Sequence, residues 1–207
     1  MGLRPADGGS PALRGWAWPG ALALAAAAVA ASGLALPLRY ERDAIAAGET
    51  WRLLTGHLAH LGTAHLVMNL AALALVWLLV GHAFKAWAWG VAMVTIALGI
   101  DAGFWWLLPE LEWYVGLSGI LHGVLAAGAP GVILQVGRVG EGLLLLAALA
   151  AKLAFEQVGG AVPGSAALAG GPVVVDAHLY GALAGLAVGS VLAVAVDAGG
   201  GRSCKPI

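Results

Sequence analysis

Residues 57–80 read HLAHLGTAHLVMNLAALALVWLLV, a run without a single Asp, Glu, Lys or Arg. About 20 consecutive apolar residues cross the hydrocarbon core of a bilayer, so this stretch predicts a membrane span. It also carries His57, His60, His65 and Asn69 near its start. Polar side chains inside a membrane are costly, and each is a functional candidate by default.

Working outward, the pattern repeats. Apolar stretches at residues 16–36, 87–108, 116–136, 141–158 and 177–196 bring the expected spans to six. Residues 37–56 read as a polar loop, residues 109–115 as a short acidic loop, and residues 159–176 as a Gly/Pro/Ala-rich loop. The expected organisation is a tail over 1–15, a six-span domain over 16–196 and a second tail over 197–207. Composition agrees. The 207 residues are 61% hydrophobic and 10% charged, against about 45–50% apolar and about 25% charged in soluble domains. A soluble enzyme and a disordered chain are excluded. The first stretch has the flanks of a signal peptide as well, but its length favours a span. The expected fold class is an all-α membrane protein.

Charge and cysteine content narrow the function. The net charge is −1, with no basic stripe to hold nucleic acid. One cysteine, Cys204, makes neither an internal disulfide nor a zinc cluster. Arg4, Arg14, Lys85, Arg138, Arg202 and Lys205 fall on one side of the expected topology. That basic bias places both termini in the cytoplasm. Spans two, four and six then all enter from the outer face.

Those three spans carry the polar residues at one depth. Ser118 opens span four within Val115-Gly116-Leu117-Ser118-Gly119, and His178 opens span six within Asp176-Ala177-His178-Leu179-Tyr180-Gly181. A serine hydroxyl needs a base to become a nucleophile, and histidine suits that role near neutral pH. Gly181, Gly185 and Gly189 repeat every four residues, and Gly119, Gly123 and Ala127 form a matching stripe. Small stripes let membrane helices approach closely, which would bring His178 beside Ser118. His65 and Asn69 share one helix face; with the Ser118 amide they are candidate donors to an oxyanion. His122, four residues after Ser118, is either a second base or a neighbour that tunes the site.

Other readings compete. His57, His60 and His65 have spacings that metal sites also use, so a histidine-cluster metal-handling protein is one alternative. Ser118 alone would be an ordinary helix-start serine, and His65 and Asn69 interhelical polar contacts. Lys152 and Glu156, four apart on span five, are expected to pair with each other, because unpaired intramembrane charges are expensive; a Ser–Lys dyad is the sharper alternative. His82 is expected to face cytoplasmic water, and most tryptophans to anchor at the membrane interfaces.

Together, Trp51-Arg52, then His60, His65 and Asn69, then Gly116-Leu117-Ser118-Gly119, then Ala177-His178-x-x-Gly181 resemble the rhomboid intramembrane serine proteases across about residues 37–195. The resemblance implies a six-helix rhomboid-like bundle, with Ser118 as nucleophile and His178 as base. It implies an oxyanion hole of His65, Asn69 and the Ser118 amide, with His60, His122, Gly116, Gly119 and Gly181 as site neighbours. Arg52 would be a structural member of the first outer loop. No cofactor or metal is implied. Glu49-Thr50-Trp51-Arg52-Leu53-Leu54-Thr55-Gly56-His57, Gly-Leu-Ser-Gly-Ile-Leu-His122-Gly and Asp176-Ala-His-Leu-Tyr-Gly are most similar to the rhombosortase subgroup. His122 stands where many rhomboids place a tyrosine against the catalytic histidine. The subgroup implies substrates that are exported surface proteins with a Gly-rich C-terminal anchor, cut near the outer face of a bacterial inner membrane. A catalytically inactive rhomboid-like client-binding protein is the remaining alternative.

Overall fold

A computed structural model describes residues 15–135 and 137–200 of the chain, with side chains to Ala195. The outer parts of both expected tails, residues 1–14 and 201–207, lie outside the described residues. Among the described residues run α1 (Ala17–Ser32), α2 (Ala35–Leu38), β1 (Tyr40–Glu41), α3 (Arg42–Ala46), α4 (Arg52–Thr55), α5 (Thr63–Val80), α6 (Ala86–Leu107), β2 (Trp113–Tyr114), α7 (Ser118–Ile133), α8 (Val139–Gly159), α9 (Ser165–Ala169) and α10 (Val175–Gly200). The stretches Thr63–Ala83, Ala86–Leu107 and Val175–Ala195 are long and apolar enough to cross a membrane; α1 and α7 are shorter apolar helices. The chain is a mostly helical membrane protein.

Helix α7 is the centre of the bundle and packs against α5, α6, α8 and, most extensively, α10. Most of its residues are buried, from Gly119 and Ile120 to Gly131 and Val132. The two small stripes meet residue for residue. A Cβ built on Gly181 would overlap the carbonyl of Gly119, one on Gly185 that of Gly123, and one on Gly189 that of Ala127. The helices therefore touch backbone to backbone, which only glycine permits at these three positions.

Several expectations need correction. The helix of the second span begins at Thr63, not at His57. Gly56 and Gly62 interrupt the segment, and Gly62 is extended at the N-cap (φ 178°); glycine is a poor helix former. His57 thus sits on a turn and His60 in the irregular segment after it, while His65 and Asn69 are helical. The first stretch breaks at Gly33, which is left-handed (φ 70°). The loop over 37–56 is largely structured, and β1 pairs antiparallel with β2, Tyr40 opposite Tyr114 and Glu41 opposite Trp113. The expectation that most tryptophans anchor at the interfaces does not extend to two of them, which are core residues. Trp77 and Trp89 are buried and pack on each other, with their indole N–H groups donating to the carbonyls of Gly15 (2.7 Å) and Gly81 (3.0 Å). Burial follows from those donor bonds, which remove the reason to face water. Trp51, Trp87 and Trp106 are exposed. His82 is exposed and contacts Arg138.

The first loop is held by two arginines. Arg52 pairs with Glu49 (2.6 Å) and donates to the Arg39 carbonyl (3.0 Å). Arg42 closes the C-terminus of α6, donating to the carbonyls of Phe104 (2.5 Å), Leu108 (2.9 Å) and Leu111 (3.0 Å). The last carbonyls of a helix have no intrahelical partner, and hydrogen bonds from charged donors are the stronger ones. Arg42→Ala is expected to destabilise the fold by about 2–4 kcal/mol. Arg42→Lys should recover only part of this, since an ammonium lacks the planar fork. Thermal unfolding in detergent checks both; an unchanged midpoint in Arg42→Ala would remove the cap from the account.

Candidate active site

The N-terminal ends of α5, α7 and α10 lie together, and each contributes a polar side chain. Ser118 is the first residue of α7, so its amide has no acceptor within the helix. The segment before it is fixed by backbone bonds to the first loop. Arg42 N–H donates to the Glu112 carbonyl (2.8 Å), and Gly116 N–H to the Gly56 carbonyl (3.2 Å). Gly116 has φ 127°, a conformation that favours glycine. The Tyr114 hydroxyl donates to its carbonyl (2.8 Å). A Cβ there would also lie 3.0 Å from the His65 ring. Glycine at 116 thus lets His65 come close to the backbone that leads into Ser118.

His178 Nε2 lies 3.0 Å from Ser118 Oγ. Its other nitrogen, Nδ1, lies 2.9 Å from Glu156 Oε2. A carboxylate only accepts, so the Nδ1 proton donates to Glu156 and Nε2 is left to accept from the serine hydroxyl. His178 and Glu156 are 4% and 3% exposed, so the bond between them is shielded from bulk water. Glu156 Oε1 accepts from Lys152 Nζ (2.6 Å). The expected Lys152–Glu156 pair is present, and it has a third member that the spacing did not announce. Lys152 and Ser118 line one cavity.

That cavity, of about 300 Å³, is lined by His65, Asn69, Ser118, His122, Lys152, Glu156 and His178, among others. A second, of about 290 Å³, shares His65, Ser118, Ala169 and Val173 with it and opens beside Glu110 and Glu112. Helix α9 and Val173 border both. The space thus reaches Ser118 from two sides. His65 Nδ1 accepts from the Leu61 amide (3.5 Å), which leaves Nε2 as the donor. Asn69 Nδ2 donates one hydrogen to the His65 carbonyl (3.2 Å) and retains a second. His60 packs edge-on against His65, with ring centroids 4.9 Å apart, and its Nδ1 donates to the Leu58 carbonyl (3.0 Å). Gly119 and Gly181 bring the two helices together directly below the serine.

His122 stacks on His178, with centroids 4.1 Å apart and planes 15° apart. Its Nδ1 donates to the Ser118 carbonyl (2.7 Å). That bond and the stack hold the ring flat against His178, an arrangement that fits a packing neighbour better than a second base. The histidines at 57, 60 and 65 do not converge. His57 instead faces Asp101 (3.5 Å) and the Tyr114 ring. Among the described residues, the one group with ligand atoms near enough for a metal is His122, Glu156 and His178. Lone pairs of imidazole nitrogens lie in the ring plane, and stacked rings aim them along parallel planes rather than at one ion. Both His178 nitrogens already have partners. The arrangement fits hydrogen bonding better than a metal.

What the site offers chemically is a serine with a base in reach, N–H donors in the same cavity, and a half-buried approach. No match was found among curated proteins or among solved structures. A family model described as the rhomboid domain matches residues 47–195, which span every element of the site. By that match, the chain belongs to the rhomboid family, whose members are generally serine proteases acting on transmembrane substrates within the lipid bilayer.

Proposed function

We propose that this chain is an active intramembrane serine endopeptidase, with Ser118 as nucleophile and His178 as general base. The observation that carries this reading is the 3.0 Å approach of His178 Nε2 to Ser118 Oγ, within the range a nucleophile–base pair needs. In the proposed reaction, a substrate helix unwinds near its outer end and presents a peptide carbonyl to the cavity. Ser118 Oγ bonds to the carbonyl carbon while its proton passes to His178. The carbonyl π pair moves onto oxygen, where His65 Nε2–H, the free Asn69 hydrogen and the Ser118 amide supply donors. His178 then protonates the departing amine as the C–N bond breaks. Water releases the acyl group from Ser118 by the same steps in reverse order.

The substrate class follows from the subgroup resemblance: transmembrane segments of exported surface proteins, with a Gly-rich C-terminal anchor. Each glycine weakens a helix by about 1 kcal/mol, a physical reason for cleavage at such a site. The reading includes six spans over residues 16–196, with 1–15 and 197–207 as cytoplasmic tails. It places the protein in a bacterial inner membrane, with the cavity open to the periplasmic side; the distribution of basic residues supports this orientation.

The direct test is labelling of detergent-purified protein by a fluorophosphonate probe, which needs no substrate. Labelling of the wild type that disappears in Ser118→Ala is the expected result. A well-folded wild type that does not label would favour the client-binding alternative. A graded result is expected at Asn69. One oxyanion donor is worth about 10²–10³ in rate, so Asn69→Ala should retain slow, measurable turnover. An unchanged rate would take Asn69 out of the oxyanion hole.

A further inference from the structure

We propose that Glu156 is a positioning residue that makes the Ser118–His178 pair into a three-member relay, with Lys152 fixing the carboxylate in place. The inference rests on the protease reading above and adds to it a residue that a two-residue mechanism does not use. Three observations carry it. Glu156 comes from α8, a helix that supplies neither Ser118 nor His178, and is only 3% exposed. Its two oxygens are divided: Oε1 faces Lys152 (2.6 Å) and Oε2 faces His178 Nδ1 (2.9 Å). The three heavy-atom contacts run in one line of exchange, from Lys152 through Glu156 and His178 to Ser118 Oγ (3.0 Å).

A buried carboxylate that only neutralised Lys152 would gain nothing from His178. Lys152 is 39% exposed at its side chain, so the pair has a solvated alternative at the lysine end. Burial of an ion pair is rarely a net gain in stability. Contact with His178 gives the burial a chemical purpose. A carboxylate on Nδ1 selects the tautomer whose Nε2 carries the lone pair, and it holds the ring plane toward Ser118. When Ser118 Oγ bonds to the substrate carbon, its proton moves to Nε2 and His178 becomes an imidazolium. The new positive charge then forms beside a fixed negative one. When the C–N bond breaks, the Nε2 proton leaves with the amine and His178 is neutral again. Glu156 gains and loses no proton in either step, and no further reactant is needed. Lys152 keeps Oε1 occupied, so the carboxylate cannot rotate away from the ring.

The test compares purified wild type, Ser118→Ala, Glu156→Gln and Glu156→Asp. The readouts are the rate of fluorophosphonate labelling, kcat and KM on a Gly-rich transmembrane substrate, and the ¹⁵N spectrum of His178. In soluble triads, exchanging the carboxylate for an amide costs about 10⁴ in kcat. Glu156→Gln is expected to lose about 10²- to 10⁴-fold in labelling rate and kcat, with KM unchanged. Glu156→Asp should recover part of the loss. The wild-type spectrum should show neutral His178 protonated at Nδ1, and Glu156→Gln should lose that preference. A folded Glu156→Gln that labels at the wild-type rate overturns the proposal. So does a wild-type ring protonated at Nε2, a reading that holds even if the variants fail to fold. Wild type and Ser118→Ala labelling alike would instead overturn the protease reading itself, so the two failures are distinct.

Discussion

Ser118→Ala is expected to reduce cleavage of a transmembrane substrate by several orders of magnitude, and His178→Ala to do the same. Members of a nucleophile–base unit act together, and losing either one costs up to about 10⁶ in kcat. The double variant should therefore be no slower than either single one. This non-additivity is the signature to look for, because independent contributions would multiply. Neither change should harm the fold. Ser118 is half-buried at a helix start, and the close contact between α7 and α10 is made by glycines rather than by these side chains. The measurement is single-turnover cleavage in reconstituted bilayers, with mass spectrometry of the fragments. Retained turnover in Ser118→Ala would overturn the assignment of the nucleophile. The same spectra separate hydrolysis from transfer, since hydrolysis leaves an unmodified carboxylate on the new C-terminus.

Gly185→Val is expected to be the most destabilising single change in the bundle. The first atom of any side chain at 185 would run into the carbonyl of Gly123. A flexible neighbour can rotate aside, but helix backbone cannot. Overpacking ordinarily costs about 1–3 kcal/mol, and here the helices must part along their whole contact. Parting them also moves His178 from Ser118, and a misplacement of about 1 Å can cost about 10² in rate. Stability and labelling should thus fall together, although residue 185 lies two turns from the serine's partner. Gly185→Ala should show the same effect in weaker form. Gly20→Ala is the control: a Cβ there meets nothing within 4 Å, and alanine is the better helix former. A Gly185→Val protein with the wild-type midpoint would mean that the two stripes are not in contact.

Much of this arrangement was legible in the residues. The charge-free runs and the four-residue glycine repeat are periodic signals, and they survive any uncertainty about helix ends. They suffice to put Ser118, His178, His65 and Asn69 at one end of the bundle. What was not legible has specific causes. Glu156 has a complete local explanation in Lys152 four residues earlier, and nothing in the spacing reveals a second partner 22 residues away. The targets of Arg42 are backbone carbonyls, which leave no trace in composition. The β1–β2 pair is two residues long, too short for an alternating pattern. The start of α5 was misplaced because His57 and His60 prolong an apolar run that Gly62 has already interrupted. The one usable clue to Glu156 was its depth: a carboxylate near the outer end of span five, level with His178.

The order of these elements along the chain has a consequence for biogenesis. Ser118 precedes His178 by 60 residues, and α8 and α10 follow α7. During synthesis the serine, the Gly116 turn and His65 can take their places while the base has yet to be made. A nascent chain therefore carries an unactivated hydroxyl. Under the proposed mechanism, hydrolytic competence would arrive only when α10 docks on the glycine face of α7, so an unfinished molecule would hold a serine without its base.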